Sequence, residues 1–144
     1  MPATCSCTDF EAAFVQGLSQ GLLRYQRCGH CNRAQSLVRH ACEHCGARLS
    51  GWQDSCGAGW VRACSTVYRA PSEQFKPLLP YALVLVELRE GFRLMGHAEP
   101  GTGLGDEVQA RFFRHQERML VRFAPLVLPT RPPALLPIAP ETLR

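Results

Sequence analysis

The 144-residue sequence predicts a mainly β protein with one helical segment at its start. Three patterns carry that prediction. Apolar residues recur at helical spacing up to Leu22, two Cys-x-x-Cys pairs follow, and five runs of strand composition lie between Trp60 and Phe123. They divide the chain into a helical segment (1–24), a metal-binding ribbon (25–54), a small barrel (55–124) and a Pro-rich extended tail (125–144).

The helical segment opens on Thr8 with Glu11 three residues later, the pattern of a capping box. Phe10, Ala13, Phe14, Gly17, Leu18, Gly21 and Leu22 then share one helical face. The two glycines each cost about 1 kcal/mol relative to alanine, so the helix should break into two short pieces or need a packing partner. Cys5 and Cys7 precede it in a segment expected to fray.

Leu23, Tyr25 and Arg27 alternate with polar neighbours, which reads as a strand leading into the first cysteine pair. Ten residues separate Cys28 and Cys31 from Cys42 and Cys45. Each pair can present two sulfurs from one tight turn, and four thiolates suit a tetrahedral zinc ion. Asn32 and Gly46 follow the pairs, and both residue types tolerate the left-handed backbone that turns amide N–H groups toward sulfur. The expected ligands are therefore Cys28, Cys31, Cys42 and Cys45, in a zinc ribbon whose filled shell leaves no place for water or substrate. Such an ion holds structure and performs no chemistry. His30, His40 and His44 lie in the same stretch and are expected at the surface. Arg27, Arg33 and Arg39 would offset part of the site's negative charge. Short strands are expected at 36–40 and 49–53, with Trp52 lying over the apolar side of the metal.

Ser55 to Gly59 form a turn-rich joint. Beyond it, residues 60–69, 81–88, 92–97, 108–115 and 118–123 read as strands. Val108, Ala110 and Phe112 share one face of the fourth, and Met119, Val121 and Phe123 one face of the fifth. Five strands with Gly/Pro loops suggest a closed barrel of the oligonucleotide/oligosaccharide-binding (OB) type, since a sandwich usually needs about seven. The loops at 71–80 and 98–105 are where such a barrel carries function. The tail holds six of the eleven prolines, interleaved with Leu, Val and Ile. Proline bars helix and central strand alike, so an apolar strap against another subunit, or back over its own barrel, is the expected form.

Composition excludes several classes. The formal charge is +4, and all basic residues except Lys76 are arginine. That excess suits a phosphorylated ligand but falls short of a dedicated nucleic-acid binder. No apolar run reaches the eighteen or so residues that span a membrane, and the N-terminus lacks the pattern of a signal peptide. The expectation is a soluble cytoplasmic protein. No catalytic constellation stands out. Cys56 and Cys64 are expected as buried, unreactive thiols. His97 and Glu99 could pair at a strand end, and Asp106 and Glu107 read as a solvated turn.

The order of features resembles a family of small rubredoxin-like zinc-ribbon/OB-fold proteins that accompany thiolases and other acyl-CoA enzymes. The matching segments are FVQGLSQGLLRYQRCGHC, CEHCG, SCGAGWVRACSTVYRAP, PYALVLVELREGFRLMG and RFAP, within residues 10–125. The segments GLLRYQRC and AQSLVRHAC are also similar to the small subunits of multicomponent acetyltransferases that act on phloroglucinol-type acceptors. The resemblance implies that Cys28, Cys31, Cys42 and Cys45 are metal ligands and that catalysis belongs to thiolase-fold partner subunits, with this chain bridging them and touching the acyl-CoA path. Cys56 departs from the small residue usual in the joint, and the last twenty or so residues exceed the family core.

Two functions follow. The first is a non-catalytic zinc-binding accessory subunit of a thiolase-like acyltransferase complex. The alternative is a single-stranded nucleic-acid-binding protein, in which Arg62, Arg69, Arg93, Arg111, Arg114 and Arg122 form a basic face with Tyr68 and Phe113 as stacking platforms. Direct binding of coenzyme A by the same arginines is a third.

Overall fold

The structure, a computed structural model, describes residues 7–35, 39–49 and 51–126, without the side chains of 7–10. Helix α1 spans Cys7–Ser19 as one piece, not two. Cys7 therefore opens the helix, and Thr8 stands inside its first turn rather than at its N-cap. The two glycines that argued for a break have separate roles. Gly17 sits where the chain returns close by: a Cβ there would lie 2.9 Å from Arg24 Cγ and 3.0 Å from the Leu22 carbonyl. Gly21 lies past the helix end at φ +72°. There the Gly21 N–H donates to Leu18 O (3.1 Å) and the Leu22 N–H to Gly17 O (2.8 Å). This paired closure is a Schellman motif, which satisfies the last carbonyls of the helix and favours glycine at the left-handed position.

The ribbon is a three-stranded antiparallel sheet with β1 (Arg24–Arg27) between β2 (Ala34–Gln35) and β3 (Trp52–Asp54). Gln26 pairs with Gln35 on one side and Trp52 on the other. The second strand thus comes earlier than the expected 36–40, of which residues 36–38 lie outside the described residues. The third starts three residues later than expected. Trp52 does not cover the cysteines. It lines the junction with Phe14, Tyr25, Phe92 and Leu94, because β3 pairs with the half of β1 nearer the barrel.

Five strands form the closed barrel: β4 (Ala58–Val67), β5 (Tyr81–Leu88), β6 (Arg93–Ala98), β7 (Glu107–His115) and β8 (Arg118–Pro125). Their order is β4-β5-β6-β8-β7, all antiparallel except β6 with β8. Closure depends on β4. Gly59 and Trp60 pair with β7 on one side and β5 on the other, and past a bulge between Val61 and Ala63 the strand continues along β5 alone. Gly59 sits in the tightest contact, where a Cβ would come within 2.3 Å of the Glu87 carbonyl oxygen. The expected strands are all present, with β4 shifted two residues toward the N-terminus. The loop at 71–80 contains a 3-10 helix, Glu73–Leu78. The tail beyond Leu126, and with it the expected strap, lies outside the described residues.

Val61, Val84, Val86, Leu88, Leu94, Val108 and Phe123 fill the barrel, each at most 5% exposed. Leu18 of the helix and Leu23 and Tyr25 of the ribbon belong to the same apolar cluster. Tyr25 stacks on Phe92 with centroids 4.8 Å apart and planes 9° from parallel. Helix, ribbon and barrel therefore share one core, and the cysteine knuckles project from it. None of the helices among the described residues is long and apolar enough to cross a membrane.

Candidate metal centre

Each cysteine pair folds into the same small loop. In the first, the Cys28 N–H donates to Arg33 O (2.9 Å) and the Asn32 N–H to Cys28 O (2.9 Å). In the second, the Cys42 N–H donates to Ala47 O (2.8 Å) and the Gly46 N–H to Cys42 O (2.9 Å). Asn32 (φ 62°) and Gly46 (φ 76°) take the left-handed backbone that their positions required. The turns aim the His30 N–H at Cys28 Sγ (3.4 Å) and the His44 N–H at Cys42 Sγ (3.3 Å).

The loops face each other. Cys28 Sγ lies 3.6 Å from Cys45 Sγ and Cys31 Sγ 3.6 Å from Cys42 Sγ. All four sulfurs fall within 4.8 Å of one another. A tetrahedron with Zn–S bonds of about 2.3 Å has edges of about 3.8 Å, so the four sulfurs fit such an ion. A disulfide needs about 2.05 Å, which these separations exclude.

Hydrogen bonding divides the thiols. The backbone N–H groups of Cys31 and His30 hold Cys28 below the usual thiol value. Burial opposes ionisation of Cys42, yet the Cys45 and His44 N–H groups and the neighbouring thiols outweigh it and bring Cys42 down to about 6. At Cys45 the Ala47 N–H favours the thiolate, but burial and the three neighbouring sulfurs push it up to about 11. Against the pull of the Arg33 N–H and of Cys45, Cys31 is raised too, by burial and the Cys42 and Cys28 sulfurs. Four adjacent negative charges repel one another, and a divalent cation among them removes that repulsion.

Two buried glutamines, which no sequence pattern singled out, lock the loops in place. Gln35 is fully buried. Its Nε2 donates to Cys42 Sγ (3.3 Å) and to Arg33 O (3.1 Å), while its Oε1 accepts from the Glu43 N–H (2.9 Å). One amide thus touches a sulfur and the backbone of both knuckles. Gln26, beside it across the sheet, accepts from the Arg39 N–H (2.8 Å) and donates to Arg39 O (3.0 Å). Leu49, 2% exposed, packs with the cysteines where Trp52 was expected.

His30, His40 and His44 are exposed, as their surplus to a filled shell suggested. The nearby arginines serve other partners: Arg27 contacts Gln53, Asn32 O and the Tyr25 hydroxyl, Arg33 contacts His44, and Arg39 pairs with Glu43. Cys56 and Cys64 are exposed, not buried. Cys64 follows the β4 bulge, where the strand has left β7 and its inner side is uncovered. Among the described residues His97 makes no ion pair with Glu99. Instead it packs among Phe75, Tyr81 and Phe113, and burial, then Arg122 and His115, lower its pKa. Asp106 is no simple solvated turn, since it accepts the Gly103 N–H (2.7 Å), and Glu107 pairs with Arg89. Of the arginines expected to form a basic face, Arg62 and Arg93 both pair with Glu87, and Arg122 covers the Phe113 ring at 4.1 Å.

Comparison with known proteins agrees with this geometry. Residues 15–50 match the family model described as the ChsH2 rubredoxin-like zinc ribbon domain, and residues 52–113 match the ChsH2 C-terminal OB-fold domain. A chain from a structure described as the Ltp2-ChsH2(DUF35) aldolase superposes with a TM-score of 0.71 at 26% identity, covering 88% of this chain and 100% of that one. A DUF35-family protein of unknown function from Sulfolobus solfataricus shares the fold, with a TM-score of 0.57 at 19% identity over 82% of this chain and 94% of its own. A probable enoyl-CoA hydratase alpha subunit from Thermomonospora curvata is 34% identical over 85 residues. That match takes in 59% of this chain and 26% of the relative, so the chain spans about a quarter of the relative's length. With the ribbon and the barrel both matched, in the same order and around one four-cysteine cluster, the chain belongs to the ChsH2-type zinc-ribbon/OB-fold family.

Proposed function

We propose that this chain is a zinc-bearing accessory subunit, without catalytic groups of its own, of a hetero-oligomeric acyl-CoA-processing enzyme. Its partner is a thiolase-fold catalytic subunit of a multicomponent acyltransferase, and C-acetylation of a phloroglucinol-type acceptor is the reaction class that the sequence resemblance favours. Cys28, Cys31, Cys42 and Cys45 hold one zinc ion. With four thiolates it has no open coordination position, so it supplies rigidity and not Lewis-acid chemistry. Rigidity reaches the barrel through Tyr25, which lies in the ribbon sheet and stacks on Phe92.

The observation that carries the reading is similarity, over 88% of this chain and the whole of the other, to a chain of the structure described as the Ltp2-ChsH2(DUF35) aldolase. The relative named as a hydratase subunit points the same way. The test is co-expression with a candidate thiolase-like partner. Co-purification at fixed stoichiometry, with acyl transfer that needs both chains, is the expected outcome. A chain that stays alone while the partner is fully active without it refutes the proposal, and so does turnover by this chain in isolation.

A further inference from the structure

On the β4–β5 side of the barrel the arginines are matched by acids: Arg62 and Arg93 with Glu87, and Arg89 with Glu107. The β7–β8 hairpin is built differently. Its register sets Arg111 opposite Arg122, Phe113 opposite Leu120 and His115 opposite Arg118. Residues two apart share a face, and Val121 and Phe123 point into the core, so these six project outward together. Among the described residues no carboxylate pairs with Arg111, Arg118 or Arg122. Like charges directly opposite one another destabilise a sheet, so the hairpin carries a cost that the rest of the barrel avoids.

The aromatic rings of this face are already engaged. Phe113 lies under Arg122 and against His97, and Phe75 stacks between His97 and His115. Among the described residues of the hairpin face no ring is left uncovered for a nucleobase; Tyr68, 60% exposed, lies off it, just past the end of β4. What remains is charge drawn out along the hairpin, about 14 Å from Arg111 to His115 at the rise of a strand. A cleft of about 370 Å3 opens at its far end, between the 3-10 helix and the hairpin turn, lined by Phe75, His115, Arg118 and Leu120 with Glu117 of the turn as its one carboxylate.

We infer that the outer face of the β7–β8 hairpin is a docking strip for an acidic segment of a partner protein, its carboxylates spaced to meet successive guanidinium groups. Unpaired arginine in rows suits carboxylates on a protein surface, whereas a nucleotide would need an open stacking ring as well. The inference deepens the proposed subunit role, since it says which face meets the partner.

The test uses the full zinc-loaded chain at low ionic strength, titrated separately with poly-L-glutamate, coenzyme A and a single-stranded oligothymidylate. Poly-L-glutamate should bind saturably and salt-dependently, at least about tenfold more weakly to the R111E/R118E variant, and unchanged to R62E. R111Q/R118Q, a milder change, should show an intermediate loss if the double reversal disturbs folding. Absence of poly-L-glutamate binding, equal binding by R62E and R111E/R118E reduced alike, or tighter binding of coenzyme A or oligothymidylate through the same arginines overturns the inference. Because this titration needs no partner, it can succeed where co-purification fails, and the two proposals fall separately.

Discussion

Replacing Gln35 by methionine isolates the part of the metal centre that lies outside the four cysteines. Methionine nearly matches glutamine in length and volume, so packing is kept while three hydrogen bonds go. One of these leaves the Glu43 N–H (2.9 Å) without its acceptor, whereas Arg33 O (3.1 Å) keeps the bond from the Cys28 N–H (2.9 Å). Such a loss costs about 1–3 kcal/mol, and the ribbon should be destabilised by about that amount. The third, from Nε2 to Cys42 Sγ (3.3 Å), supports the thiolate directly. Groups of this kind tune metal affinity by about 10–100-fold, and zinc should bind that much more weakly. Competition against a colorimetric zinc chelator reads the affinity, and thermal unfolding with zinc bound reads the stability. Gln26→Met is the matched control. It loses the Arg39 backbone clamp but touches no sulfur, so stability should fall with a smaller change in affinity. If Gln35→Met retains zinc within twofold and melts with the parent, the account of the buried glutamines is wrong.

Other outcomes follow from the same geometry. Glu90 accepts from the Cys56 N–H (2.7 Å) and the Ser55 hydroxyl (2.9 Å). Burial alone would raise its pKa, but these donors and its own N–H hold it below the usual 4.5. A depressed carboxyl pKa stabilises the fold above its unfolded value, and that contribution is lost as pH falls through the lowered one. Glu90→Gln should therefore flatten the decline of melting temperature below about pH 4.5, and an unchanged slope would argue against the clamp. Gly59→Ala places a Cβ against the Glu87 carbonyl and should cost about 3 kcal/mol in chemical denaturation, because backbone cannot rotate away as a side chain can. Stripping the metal with a chelator should collapse the amide NMR signals of the two cysteine loops, 28–33 and 42–47, while signals from the barrel strands persist. Global loss of dispersion, or none, would contradict zinc-dependent knuckles projecting from a core that helix, ribbon and barrel share.

The four-cysteine cluster was legible because its determinants are local. Four cysteines, a fixed spacing, and Asn32 and Gly46 at left-handed positions specify two knuckles without reference to the rest of the chain. Strand composition likewise located all five barrel strands, since β-branched and aromatic residues mark them and the last two alternate inner with outer residues. The helix misled by the same logic. Two glycines read as breaks, when one was a contact site for Arg24 and the other the C-terminal cap.

What the sequence determined by itself, then, is the kind of each element and the identity of the four sulfurs, because periodicity and short-range turn chemistry act within a few residues. Which residues support the sulfurs, and which faces stay uncovered, was decided only by tertiary structure. Gln35 meets Cys42 because strand register brings it there, Trp52 turns to the barrel because β3 pairs toward that end, and Cys64 is exposed because β4 bends away from β7. These are relations between distant segments, and a linear pattern of apolar and polar residues does not encode them.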